Sequence, residues 1–194
     1  MSRGRRIALL VGLLLGAVGC AALQQYAALA QVAFSLDGIA DARLAGVPLA
    51  RIASYRDLSA TEVATLVTTV GRGNAPFEFT ARVGAANPGT NRTDARLARM
   101  EWLLLLDGRE TVRGVLDTSY TLPAGQPVTI PLRVHLDLRE FFGGGVQEIV
   151  NLAAGIAGLR NDPTRVTLEL TPQIETPLGP LSPPTPIRVT GRTP

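Results

Sequence analysis

Between Val128 and Leu136 every second residue is apolar: Val128, Ile130, Leu132, Val134 and Leu136 alternate with Thr129, Pro131, Arg133 and His135. A period of two puts successive side chains on opposite faces of an extended strand, so one face must be buried and the other solvated. A chain made of such segments has to pack sheet against sheet. The pattern recurs in Val32, Phe34 and Leu36, in Phe77, Phe79, Ala81 and Val83, and in Val166, Leu168 and Leu170. Turn chemistry separates these runs at Asn87-Pro88-Gly89, Asp107-Gly108 and Pro123-Ala124-Gly125. Each combines residues that favour reversal over continued strand.

Other segments fill in the same scheme. Leu97 to Leu106 is strongly apolar and is expected to be a central strand, with Thr111 to Tyr120 returning after Asp107-Gly108. Ile39 to Ile52 reads as a long extended stretch with a bulge or edge break at Gly46-Val47-Pro48. Pro172 to Pro186 is proline-rich and suits an edge, and Ile187 to Thr190 makes a short last strand. Seven or so short strands joined by turns predict an all-β antiparallel sandwich.

Two segments leave the two-residue period and predict helices at about 59–71 and 145–159. Ser59-Ala60-Thr61-Glu62 has the form of a capping box, in which the serine and the glutamate each satisfy a free amide of the other. Val63, Leu66, Val67 and Val70 follow at helical spacing as a core-facing stripe. The second helix follows Gly143-Gly144-Gly145, expected to be a flexible hinge, and places Val146, Ile149, Val150, Ala153 and Ile156 at the same spacing.

The N-terminus has a different character. Arg3, Arg5 and Arg6 precede an apolar run from Ile7 to Leu15, and the small residues Gly16 to Gly19 lead to Cys20. Basic head, apolar run and small-residue exit have the order of a secretory signal peptide. The run is about 12 residues long even when extended to Val18, where a spanning helix needs roughly 20. A cleaved signal fits better than a permanent span. Ala17-Val18-Gly19-Cys20 resembles the lipobox of bacterial lipoproteins, with Ala17 where that family usually has Leu. The resemblance implies cleavage before Cys20, lipid attachment at Cys20 and, with Ala21 following, placement on the outer membrane facing the periplasm. Cys20 is the only cysteine, so it has no disulfide partner in the chain. The expected organisation is a signal peptide at 1–19, a tether at 20–30 and a sandwich domain at 31–194.

Charge excludes one class of partner. All 19 basic residues are arginine; three lie in the signal, whereas all 16 acids lie beyond it. The remainder is formally neutral, which does not fit a nucleic-acid surface.

The stretch from Phe79 to Leu138 resembles the late-embryogenesis-abundant type 2 family, also called the water-stress and hypersensitive-response domain. An alternating strand leads to Asn87-Pro88, a hydrophobic strand from Trp102 ends at Asp107-Gly108, and Gly114 follows in the return strand. Val128 to Leu136 then supplies the next strand, and Phe34 to Ile39 fits the family's first one. The resemblance implies a fibronectin/immunoglobulin-like β-sandwich and a non-enzymatic role in desiccation or osmotic stress. Asp57 to Asn74 and Phe141 to Asn161 depart from it as helical insertions.

Candidate chemistry is sparse. His135 is the only histidine and lies on the polar face of its strand between Arg133 and Asp137, which points to a solvated residue. One histidine and a lipidated cysteine cannot supply the three or four ligands of a usual zinc site. Asp107, Glu110 and Asp117 cluster in sequence around one hairpin, but Asp107 is required by its turn. Gly143 to Gly145 lacks the Gly-Lys-Ser/Thr ending of a phosphate cradle. Trp102 is expected in the core, and Asn91-Arg92-Thr93 matches a glycosylation acceptor. No catalytic residue, metal or cofactor is therefore expected. The expected partners are the membrane, through Cys20, and a protein or hydrophobic ligand of the domain. The competing function is that of an envelope assembly or transport accessory.

Overall fold

The computed structural model describes residues 22–162, 164–177 and 179–191. The signal peptide and Cys20 lie outside the described residues. Residues 22–30 form a helix, α1, and ten strands follow, interrupted by three further α-helices and a short 3-10 helix at Tyr55–Asp57.

Two four-stranded antiparallel sheets make the body. The first runs β2-β1-β3-β8, with β1 at Ala33–Leu44, β2 at Val47–Pro48, β3 at Pro76–Ala86 and β8 at Pro127–Asp137. The second runs β10-β9-β5-β6, with β5 at Arg99–Leu106, β6 at Arg109–Leu116, β9 at Val166–Gln173 and β10 at Ile187–Gly191. A small pair, β4 at Ala95–Leu97 and β7 at Tyr120–Leu122, lies beside them. The chain crosses between sheets after β3, after β6 and after β8, giving a fibronectin/immunoglobulin-like sandwich. The expected sandwich forms with both expected helices, and α1 and a short α3 are added to them.

Register explains the sequence pattern. Phe77, Phe79, Ala81 and Val83 of β3 pair with Leu136, Val134, Leu132 and Ile130 of β8, and all eight are buried. Met100, Leu104 and Leu106 face them from β5, and Leu168 and Leu170 from β9. The polar alternates Glu78, Arg82, Arg133 and His135 lie on the outer face. A slip of one residue would reverse every one of these placements.

Three strand boundaries differ from expectation, each for a local reason. Ile39 to Ile52 is not one extended stretch with a bulge: Ala45 and Gly46, at φ 47° and 80°, make a two-residue turn that folds β2 back on β1. The bulges fall earlier in β1, where pairing with β3 slips between Leu36 and Gly38 and again between Ala40 and Arg43. The stretch Leu97 to Leu106 divides at Ala98, so β4 leaves to pair with β7 while β5 joins the main sheet. The return strand ends at Leu116, and Tyr120 begins β7. At the intervening hairpin Asp107 and Gly108 take φ 49° and 82°, as expected of a tight turn.

The two predicted helices form as α2, Ala60–Gly71, and α4, Val146–Ile156. In α2 only Leu66 and Val70 are buried; Val63 is half-buried and Val67 is 48% exposed, so the apolar stripe is narrower than expected. The capping box is present: the Ser59 amide donates to Glu62 Oε2 at 2.8 Å, and Ser59 Oγ accepts from the Glu62 amide at 3.4 Å. The Ser59 hydroxyl above all, then the Ser59 amide, holds the Glu62 carboxyl below its ordinary pKa. A carboxylate with a depressed folded-state pKa contributes stability above its unfolded value and loses it as pH falls through the folded value. Ser59→Ala is therefore expected to cost about 1 kcal/mol near pH 7. The difference from the parent shrinks in acid as Glu62 protonates, measurable by urea unfolding at pH 7 and pH 3.

A four-residue helix, α3 at Leu138–Phe141, joins β8 to α4. Asp137 Oδ1 caps it through the Arg139 amide and also accepts from the Ala75 amide, both at 2.8 Å, tying the end of β8 to the start of β3. The expected hinge before α4 is tied down as well. Glu148 accepts from the Gly145 amide at 3.0 Å, and Arg139 donates to the Gly144 carbonyl at 2.7 Å. No helix among the described residues is long and apolar enough to cross a membrane.

Candidate functional site

Both sheets leave one edge unpaired on the same side of the sandwich: β8 pairs only with β3, and β6 only with β5. Open edges invite further strands, and both are blunted. Edge strand β8 carries Pro127 and Pro131, which lack an amide donor. Edge strand β6 carries Arg109, Glu110 and Arg113, and its pairing with β5 slips between Leu104 and Leu105. The two edges therefore do not close on each other. They bound a groove of about 390 Å³ lined by Trp102, Leu116, Thr118, Tyr120, Leu132 and Arg133, with Val115 and Pro131 beside them.

Trp102 defines the inner wall. It lies on the core face of β5, 8% exposed, directly opposite Gly114 of β6. A Cβ on Gly114 would meet the indole, 2.7 Å from Cε2. The missing side chain is what lets the ring lie across β6 and reach the groove. Leu116 and Tyr120 are half-buried along the same side, and Arg133 is exposed at the rim. Polar and apolar surface line it in about equal measure, which suits an amphipathic ligand, and the volume falls within the range of small-molecule sites. A second groove of similar volume crosses β6, β5 and β9 and is lined by Trp102 as well, together with Glu101, Leu103, Arg113, Val115 and Glu169. Most of its lining surface is apolar, and Glu169 at its side is already engaged by Arg188 at 2.6 Å.

The candidate reactive residues are not brought together. His135 is on the outer face of the first sheet, its side chain 64% exposed, with Nδ1 3.5 Å from Glu78, so the solvated placement is correct. Asp107 Oδ1 accepts from the Arg165 amide at 3.0 Å, Glu110 pairs with Arg113 at 3.5 Å, and Asp117 pairs with Arg99 at 3.2 Å. Each acid has a separate partner, and three neighbours in sequence become three unrelated surface contacts. Among the described residues no group of three His, Cys, Asp or Glu side chains could hold a metal ion.

One polar cluster was not foreseen. Asn87 and Asn91, read from sequence as a turn and a glycosylation acceptor, are 2% and 7% exposed. Asn87 Nδ2 donates to the carbonyls of Leu122 at 2.8 Å and Thr93 at 3.2 Å. Asn91 Nδ2 donates to Asn87 Oδ1 at 2.9 Å and to the Ala28 carbonyl at 3.1 Å. The amide that a glycan would need is thus committed inside the fold. Through the Ala28 bond the cluster holds α1, whose Ala28 and Leu29 are buried. Residues 22–30, expected as part of the tether, form a helix that docks on the domain.

Strand pairing and groove together define a fibronectin/immunoglobulin-like β-sandwich open along one side. No protein-family model matches the chain, and no curated protein matches it. Solved structures are similar to it, two of them as follows. One is a crystal structure of a protein from Archaeoglobus fulgidus, 16% identical, covering 61% of this chain and 86% of that chain at a TM-score of 0.35. The other is a solution structure described as a late embryogenesis abundant (LEA) protein, 13% identical, covering 96% of this chain and 84% of that chain at a TM-score of 0.39. The architecture itself follows from the strand pairing of this chain.

Proposed function

We propose that this protein is a non-enzymatic binding module, lipid-anchored through Cys20 on the outer membrane facing the periplasm, with a protective role in desiccation or osmotic stress. The observation that carries the binding role is the groove between the blunted edges of β6 and β8, with Trp102 on its inner wall. The stress assignment draws on the sequence resemblance around Asn87-Pro88, Asp107-Gly108 and Gly114. The separation of His135 from the acids of the β5–β6 hairpin supports a non-enzymatic reading, because acid–base or nucleophilic catalysis needs its groups within hydrogen-bond reach.

The mixed polar and apolar lining also favours a second reading, an envelope assembly or transport accessory that holds a hydrophobic molecule or a partner protein. Trp102 is the only tryptophan and lines both grooves, so its fluorescence reports binding at either, and Leu116, which lines only the groove between β6 and β8, assigns the response. Titration with a single-chain lipid below its micelle concentration is expected to shift Trp102 emission saturably, and Leu116→Asp is expected to weaken that response about tenfold or more. An unchanged emission would remove the groove as a ligand site. Survival of a deletion strain through drying and salt shock separates the two roles: normal survival alongside lipid binding favours the accessory reading. Mass spectrometry of the mature N-terminus tests the anchor, with an unmodified Cys20 as the result against it.

A further inference from the structure

We propose that the end of the sandwich bearing α1, the 87–94 loop and the proline-rich 174–186 loop rests on a lipid bilayer, with Leu23 and Leu181 entering its headgroup region. The proposal builds on the reading of Cys20 as the lipid-bearing residue, and three observations on the domain itself support it.

The first is reach. The described chain begins at residue 22, two positions from Cys20, and two extended residues span about 7 Å. Helix α1 is not slack to be paid out, since Ala28 and Leu29 are buried and Asn91 holds the Ala28 carbonyl. A lipid at Cys20 would therefore keep this end of the domain near the surface. The second is exposed apolar surface. Of the four large apolar residues exposed in the described structure, Leu23 at 66% and Leu181 at 41% belong to this end. Leu181 is held in place by paired backbone hydrogen bonds with Ile174, at 2.9 and 3.0 Å, within a loop stiffened by Pro180, Pro183 and Pro184.

The third is charge. Residues 22–36 carry none, and the described part of 174–186 carries only Glu175. The nearby loops and strand starts add Arg92, Arg96 and Arg99 against Asp94 and Asp117, and with Glu175 these cancel in sum. The opposite end, built from α2, α3, α4 and their loops, holds the Arg51–Glu62 and Arg160–Asp162 ion pairs and exposed Arg56, Arg72 and Glu140. Ions resist leaving water, so α1 and the described part of the 174–186 loop, with Glu175 as their one charge, are the surfaces that can enter a headgroup layer. Near neutrality also means that docking depends on apolar contact, and little on salt or on the fraction of anionic lipid.

The test uses the full chain in vesicles of phosphatidylethanolamine and phosphatidylglycerol, with lipids brominated near the headgroup as quenchers. Tryptophan is placed at the exposed positions Leu23→Trp, Leu181→Trp and, at the far end, Val67→Trp, and emission from Trp102 in the parent is subtracted. Quenching of the added tryptophan by roughly half or more at 23 and 181, with none at 67, is the expected result. Equal quenching at all three positions, or none at any, overturns the docking. The mass of the N-terminal peptide from the same vesicles reports the anchor separately. Lipid on Cys20 without quenching at 23 and 181 overturns the docking alone, and quenching with an unmodified Cys20 overturns the anchor alone. Loss of both overturns both.

Discussion

Asn87→Ala is expected to lower the unfolding free energy by about 3 kcal/mol, a large share of the stability of a domain this size. The side chain is 2% exposed and serves three partners, the Leu122 and Thr93 carbonyls and the Asn91 amide. Its removal leaves those groups buried with no water to replace it. The loss also reaches α1, because Asn91 is oriented by Asn87 while it holds the Ala28 carbonyl. Urea unfolding followed by circular dichroism checks the magnitude. Hydrogen exchange supplies the finer test: amides of residues 24–32 should exchange faster in the variant well below the global transition. Asn87→Asp keeps the acceptor oxygen but loses both donated bonds and buries a carboxyl, so it should not restore stability. A loss below about 0.5 kcal/mol would mean that the cluster is not the clamp described.

Gly114→Val is the second large effect, expected at about 2–3 kcal/mol. The new side chain would occupy the space of the Trp102 ring, which is fixed between β5 and the core. Either the indole swings into the groove or the β5–β6 pairing opens. Because Trp102 is the only tryptophan, emission distinguishes these outcomes from a neutral change: a red shift in the folded state marks the ring entering water. The groove should be altered in the same variant, so its lipid response should fall with the stability. Preserved emission and stability would show that the ring does not depend on Gly114.

The body of the sandwich was legible because it obeys a single physical rule. Phe77 to Val83 lies in an inner strand and Val128 to Leu136 in its edge neighbour, in a sheet with one wet face, and their alternation survives intact. The cap of α2 was equally plain, since Ser59 and Glu62 interact within one helical turn and need no distant partner. Where several extended residues could turn or continue, sequence was a poorer guide. Ala45 takes a left-handed conformation that its residue type does not announce, and Ala98 divides an apolar run with no proline or glycine to mark the break.

The groove was partly written in the chain. Pro127 and Pro131 in the most regular strand mark it as an edge, and Gly114 marks a close approach. That β6 forms the other edge, leaving Trp102 between them, depends on which strands of two sheets remain unpaired. The Asn87–Asn91 cluster was hidden for a related reason. Asparagine after a strand and before proline or glycine has the same appearance whether it faces solvent or reaches a carbonyl 35 residues away.

The sequence by itself determined the two-layer β architecture, the strand faces and the α2 cap, since periodicity and capping act over a few residues. Only the tertiary structure decided that the acids of the β5–β6 hairpin stay apart, that Asn91 is buried, that residues 22–30 dock, and that the sandwich opens beside Trp102. Those features depend on residues distant in the chain meeting across strands and sheets, which local pattern does not encode.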